Sequence, residues 1–410
     1  VRTFAAFQVP TYRRFWFAQG FSLIGSWLQA SAMSWLVVTV LYPDNAAEAT
    51  ARLGILSAIQ WTPSLVLSLV AGALLDRVSR RVALLLTQTV LMLVAVGLGL
   101  VVYYKVSSFE LVAALAFCAG LANVFDIVAR QSLVPNLVPR DLMPNAIALN
   151  SLAFNLSRIL GGTVFGLVAP LGLSLVFFLN AASFLGVIYA IYTIRVADPE
   201  PHEGNMLQDV AVGLRYVWRT RAVRTPILLL FFLSLFIINF QVITPTFARF
   251  ALGQDESGFG WLNAAFGLGA ALGAAFHASR PSRDKTPLMR WGALILVAAV
   301  ALLAITPNLI LACGALALCG IGLIFFTVSA NSSVQLATPD TLRARVMSVY
   351  SLVFAGMAPP GALLTGWLMS AFGAREGLLI LAAAGLLSVI ALLPQLQRIQ
   401  GSETEPAKAT

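Results

Sequence analysis

The sequence predicts an all-α membrane protein: twelve transmembrane helices in two pseudo-symmetric six-helix bundles, with both termini cytoplasmic. Three observations predict it: an apolar composition, a succession of long apolar runs, and a one-sided distribution of basic residues between those runs. Of the 410 residues, 59% are hydrophobic and only 10% are charged, whereas soluble globular chains carry about 25% charged residues. Most of the surface of such a chain must face lipid. A spanning helix needs ~20 mostly apolar residues. Twelve of them occupy ~240 residues and leave short loops plus one longer connection.

Reading the apolar runs between charge and turn clusters places spans at 14–41, 51–75, 82–104, 109–133, 143–169 and 172–195. They resume at 223–250, 257–280, 287–306, 308–335, 341–370 and 373–397. The first run follows Arg13 and Arg14, is too long for the apolar part of a cleavable signal and lacks a cleavage pattern, so it is expected to persist as a span. Several runs exceed the minimum, which predicts tilt or extension beyond the bilayer.

Charge tests the count. With the N-terminus inside, 21 of the 26 Lys and Arg residues fall on the cytoplasmic side, only Arg52, Lys105, Arg249 and Arg375 fall outside, and Arg158 lies within a span. Cytoplasmic loops carry this excess in membrane proteins, and a wrong span count would scramble it. The formal charge of +9 therefore reports orientation. It is spread in small groups and forms no single basic stripe of the kind that binds nucleic acid, so no nucleic-acid partner is expected.

Domain boundaries follow. Residues 1–195 form one six-helix bundle and 223–400 the other, joined by a charged linker over 196–222 that contains Pro199, Pro201 and Gly204. Within it Leu207, Val210, Leu214 and Val217 recur at helical spacing, which predicts an amphipathic helix over Met206–Trp218 lying along the cytoplasmic membrane surface. Residues 401–410 are polar and are expected to be disordered. A shift of 200 residues superposes Pro139 on Pro339, Leu142 on Leu342, Phe154 on Phe354, Gly161 on Gly361 and Gly166 on Gly366. These pairs fall on the fifth and eleventh spans, the equivalent helices of the two halves. A parallel repeat of six-span halves places a substrate site between them near the bilayer midplane.

The most specific local pattern joins the second and third spans: Gly72, then Leu74, Asp76-Arg77 and Arg80-Arg81. Basic residues at a cytoplasmic turn serve as ordinary topology determinants. The complete pattern G-x-L-x-D-R-x-x-R-R at this place in a twelve-span chain resembles the signature loop of the major facilitator superfamily. A second stretch, from Ala129 through Pro135, Pro139 and Asn145 to Asn150, is similar to the branch of enterobactin exporters and macrolide and multidrug efflux pumps, the third drug:proton antiporter group. Arg158 followed by Gly161-Gly162 also fits that branch, while Thr163 stands where drug antiporters often carry proline. The resemblance implies a monomeric rocker-switch transporter of the bacterial cytoplasmic (inner) membrane. Gly72, Asp76, Arg77 and Arg81 would latch its cytoplasmic side, and membrane lipids and protons would be its other partners.

Charges inside spans are costly and usually functional. Asp126 is the one acidic residue read within a span, and Arg130 follows one turn later on the same face. The pair reads either as a proton-carrying carboxylate or as a cytoplasmic gate. Arg158 reads either as an anion contact or as a packing residue satisfied by carbonyls. In this fold the first, fourth, seventh and tenth spans line the cavity, with contributions from the fifth. The candidates there are Gln29, Met33, Asn123, Asn155, Arg158, Phe232, Asn239, Gln241, Phe326 and Asn331, with Phe21, Trp27 and Phe236 nearby. Apolar walls with a few polar anchors suit an amphipathic molecule. Asn and Gln also bond helix to helix in membrane bundles, and that alternative stands beside the first.

The remaining motifs exclude chemistry. Cys118, Cys313 and Cys319 lie in apolar runs without metal or disulfide spacing. Two histidines, His202 and His277, and the lack of a phosphate-binding loop point to no cofactor, no metal site and no ATP hydrolysis. The resulting expectation is secondary active export of a drug-like compound or siderophore, coupled to protons. A lipid or lysophospholipid flippase of the same fold is the alternative.

Overall fold

The structure, a computed structural model, describes residues 4–75, 78–133, 137–194, 206–279 and 285–404. Among these residues the regular structure is entirely helical. The first set of α-helices is α1 (Pro10–Leu36), α2 (Ala46–Leu75), α3 (Arg80–Tyr103), α4 (Phe109–Leu133), α5 (Met143–Val168) and α6 (Leu173–Thr193). A helix α7 (Met206–Arg219) follows, and then α8 (Arg221–Phe236), α9 (Phe240–Thr246), α10 (Glu256–Ser279) and α11 (Thr286–Ile305). The chain closes with α12 (Leu309–Leu336), α13 (Asp340–Gly356), α14 (Ala358–Phe372) and α15 (Ala374–Thr404). Residues 401–404, expected to be disordered, continue α15, and the rest of the tail lies outside the described residues.

Eleven helical segments among the described residues are long and apolar enough to cross a membrane. One of them, Arg221–Ala251, combines α8, α9 and a π-helical turn, and another, Asp340–Phe372, combines α13 and α14. Each of these two is interrupted. Span 223–250 unwinds over residues 237–239, and span 341–370 breaks at Met357, just before Pro359 and Pro360. A helix entering a proline loses hydrogen bonds and collides with the ring, so the second break follows from sequence. π-helical turns close α1 (Val37–Leu41) and follow α9 (Phe247–Ala251), at matching places of the two halves.

Two compact units are formed. The first comprises Val1–Asn45, Ile59–Glu203 and Gln254–Ala264, and the second Ala46–Ala58, Gly204–Gly253 and Ala265–Thr410. The first turns of α2 thus belong with α14, and the first turns of α10 belong with α5. In the first unit α1 packs on α5 and α6, and α3 packs on α4 and α6. One core of this unit gathers Tyr12 and Phe15 of α1, Leu75 of α2, Leu84 of α3, Leu133 of α4, Leu149 of α5 and Ile191 of α6. In the second unit α11 packs on α12 and α15, and α8 packs on α12, α14 and α15. α7 lies against α8 and α13.

Close approach sets two glycine crossings. In the first unit a Cβ on Gly166 of α5 would lie 2.9 Å from the Cα of Gly260 of α10. In the second, a Cβ on Gly54 of α2 would lie 3.0 Å from the Cα of Gly366 of α14 and 2.7 Å from the Ala362 carbonyl oxygen. Small residues let membrane helices meet backbone to backbone, and here both faces of each crossing need glycine.

Candidate functional site

A buried polar cluster of the first unit surrounds Asp126 on α4, which is 5% exposed. Its Oδ2 accepts from Arg130 Nε at 3.1 Å and from Arg130 Nη2 at 2.6 Å. Its Oδ1 accepts from Gln88 Nε2 at 2.6 Å and from Thr87 Oγ1 at 3.2 Å, both on α3. The i,i+4 ion pair was legible in sequence. The α3 donors were not, because the face of α3 that meets α4 is set by packing. One guanidinium, through two N–H groups, and two neutral donors close this carboxylate on both oxygens, which is how a buried charge pair becomes tolerable. Arrangement of this kind braces α3 against α4.

The loop after α2 is described in part. Gly72 lies in the last turn of α2, Asp76 and Arg77 lie outside the described residues, and Arg81 opens α3. Arg81 Nη2 donates to the carbonyl oxygen of Tyr192 on α6, and its guanidinium stands 5.4 Å from the Tyr192 ring centroid. The arginine therefore ties the start of α3 to the end of α6 by a carbonyl bond and a cation–π contact.

Three polar cavity candidates, Gln29, Asn239 and Asn331, are hydrogen-bonded to other protein groups. Gln29 of α1 is buried, and its Oε1 accepts from Asn180 Nδ2 of α6 at 2.8 Å. Asn239 precedes α9 at the interruption of its span, and its side chain caps the end of α8, where Nδ2 donates to the carbonyls of Ser234 at 3.2 Å and Leu235 at 3.1 Å. An amide side chain here does the work of the missing helical N–H groups. Gly361 of α14 faces that cap, since a Cβ there would come within 2.8 Å of the Asn239 amide nitrogen. Asn331 Oδ1 accepts from Gln335 Nε2 at 2.6 Å, one turn along α12. Phe326 has no exposed surface and sits where α12 crosses Gly292 of α11.

The remaining candidates lie on α1, α4, α5, α8 and α9. Met33 is buried on α1, Asn123 is half-buried on α4 and Gln241 half-buried on α9. Arg158 is half-buried on α5, in the turn after Asn155. Nearby, Trp27 and Phe154 meet edge to face at 5.8 Å. Phe232 of α8 stacks on Phe236 at 6.3 Å and meets Phe231 edge to face.

One cluster escaped sequence reading. Trp35, 1% exposed near the end of α1, donates from Nε1 to Glu256 Oε1 at 3.0 Å. Its ring stacks on Phe259 at 4.9 Å, and Phe165 of α5 meets Phe259 edge to face at 5.3 Å. Gly166 and Gly260 cross beside it, with Ser257 Oγ reaching the Gly166 carbonyl at 3.4 Å. The partners lie up to 221 residues apart in sequence, so no local pattern could have joined them. The only signal was an acidic residue at the very start of an apolar run.

Residues 1–409 match the family described as transmembrane secretion effector. The chain belongs to that family. It is a multi-pass major facilitator transporter, and neither this family nor its structural neighbours are enzymes. A relative from Mycolicibacterium fortuitum, the multidrug efflux pump Tap, is 28% identical over 394 residues and covers 92% of this chain and 93% of its own. The staphyloferrin A transporter of Staphylococcus aureus is 25% identical over 157 residues, 38% of each chain. The crystal structure of the nucleoside transporter NupG aligns with a TM-score of 0.77 at 11% identity, covering 94% of this chain and 98% of that one. That likeness shows the fold.

Proposed function

We propose that this family member exports an amphipathic small molecule, a drug-like compound or a siderophore, from the cytoplasm by alternating access coupled to protons. The observation that carries the reading is the full-length relationship to a multidrug efflux pump. The shorter match to a siderophore transporter widens the cargo class. In this reading the 30-residue α2 joins the eleven candidate spans as a twelfth, and both termini face the cytoplasm of a bacterial cell, in keeping with the charge asymmetry. The bundles are 1–195 and 223–400, joined by the linker with α7.

The roles in this reading combine the loop resemblance with the observed contacts. Gly72, Asp76, Arg77 and Arg81 form the cytoplasmic latch, with Arg81 anchored on Tyr192. Asp126 and Arg130 act as a brace behind that latch, because all four hydrogen bonds to the carboxylate are already made within α3 and α4. In this reading the proton-coupled step is assigned to Glu256, which accepts a hydrogen bond from the buried Trp35 near the end of α1. A hydrogen bond to an ionised carboxylate is roughly twice as strong as a neutral one, so protonation there loosens this contact. Met33, Asn123, Asn155, Arg158 and Gln241 remain the cavity candidates, Phe232 lines a groove between α7, α8 and α13, and Gln29, Asn239, Asn331 and Phe326 support the helices around them.

Expression of the chain in a drug-sensitive bacterial host tests the proposal. Raised resistance to several amphipathic compounds, lost on uncoupling, is the expected result. Unchanged susceptibility with a gain in lysophospholipid uptake would replace export by lipid flipping.

A further inference from the structure

The linker helix does more than join two halves. α7 is clamped to the second unit at two points: Tyr216 Oη donates to the Ala337 carbonyl at 3.1 Å, and Gly213 lets the helix rest on α13, where a Cβ would come within 2.6 Å of the Arg345 carbonyl oxygen. Between α7, α8 and α13 this leaves a groove of about 250 Å3. Its walls are Leu214 and Trp218 from α7, Ile227 and Phe231 from α8, and Val349 and Val353 from α13.

The groove has a basic mouth. Arg224 lines it and donates from Nη1 to the Trp218 carbonyl at 3.3 Å. Arg215, Arg219 and Arg221 are exposed on the same two helices, and no acidic residue occurs between Ala211 and Phe236. From Arg224 to Phe231 is two helical turns, a depth of ~10 Å. Leu214 and Trp218 are 44% and 55% exposed beside those arginines, the mixture that seats a helix at a membrane surface.

We infer that this groove binds an anionic phospholipid of the inner leaflet, with one acyl chain between α8 and α13 and the phosphate among Arg219, Arg221 and Arg224. The charge at the mouth selects the headgroup, and the depth and apolar walls require a chain. A water-soluble phosphate would leave those walls empty. A seated lipid would join α7 to α8 and α13 and so fix the linker to the second unit. The assignment to the inner leaflet rests on the topology proposed above, whereas headgroup selectivity in detergent does not, so the two can fail separately.

Native mass spectrometry of the full chain in detergent, with equal phosphatidylglycerol and phosphatidylcholine, tests the site. Retention should favour phosphatidylglycerol about tenfold or more. The triple variant R219Q/R221Q/R224Q should lose about fivefold per arginine, the equivalent of ~1 kcal/mol each, whereas R13Q/R14Q at the start of α1 should lose nothing. Val349→Trp should fill the groove and lower retention of both lipids. As a measurement on the unaltered fold, brominated phosphatidylglycerol should quench tryptophan emission by an amount that Trp218→Phe removes. Equal retention of the two lipids, a preference that survives the triple variant, competition by glycerol 3-phosphate alone, or quenching untouched by Trp218→Phe would each overturn the inference.

Discussion

Replacing Gly166 with alanine places a methyl group where none fits. Its Cβ would stand 2.9 Å from the Gly260 Cα and 3.4 Å from the Ser257 carbonyl oxygen, against a carbon–carbon optimum of ~3.5–4.0 Å. Neither neighbour is a side chain that can turn away, so α5 and the first turns of α10 must separate by roughly 1 Å, the shortfall from that optimum. Overpacking of this kind costs ~1–3 kcal/mol. The cost applies only while the crossing is formed, and ~1.4 kcal/mol shifts a population tenfold, so Gly166→Ala should favour conformations open at this end by roughly 5- to 140-fold. The reporter is Ser257→Cys in a chain whose Cys118, Cys313 and Cys319 are alanine, labelled with a membrane-impermeant maleimide. Faster labelling by about that factor is expected. Gly186→Ala is the control, since nothing lies within 4 Å of a Cβ there, and it should label at the parent rate. Unchanged labelling in Gly166→Ala would refute the idea that this glycine crossing is a closed contact of the transport cycle.

Other expectations concern the polar clusters. Asp126→Ala should destabilise the protein by ~3–5 kcal/mol, because Arg130 is left buried without its partner; a thermal melt in detergent reads it, and a melt equal to the parent's would remove the brace. Asp126→Asn should keep a pH-gradient response, and loss of that response would return proton coupling to Asp126. Gln29→Leu should weaken transport no more than Asn180→Leu does, since the two share one hydrogen bond. A far larger effect on cargo affinity at Gln29 would restore it to the cavity. Asn239→Ala strands two buried carbonyls at ~1–3 kcal/mol each and should lower the melting temperature, most visibly beside Asn239→Asp, which keeps the shape and loses the donors.

Span positions were readable because lipid imposes length and hydropathy on every helix that crosses it. The linker helix over Met206–Arg219 shows the same thing for a surface: the period of Leu207, Val210, Leu214 and Val217 is visible in sequence. What was not readable depends on rotation and break points. Gln29 and Asn239 were cavity candidates as polar residues in apolar runs, yet each is used within its own unit, one by Asn180 and the other by the Ser234 and Leu235 carbonyls. The break beside Asn239 occurs in Ile237-Ile238-Asn239, without proline or glycine to announce it, and becomes intelligible only with Gly361 packed against it. Glu256 meets Trp35 only through the packing of α10 against α1, a contact 221 residues apart in sequence.

Proton-driven export is tested most directly in proteoliposomes holding only the purified chain, with an amphipathic fluorescent dye outside and an acidic interior. Inside-out molecules should accumulate dye while the gradient lasts and release it on uncoupling, and Glu256→Gln should abolish the gradient dependence. Dye movement indifferent to the gradient, or movement confined to a labelled lysophospholipid, would contradict the account.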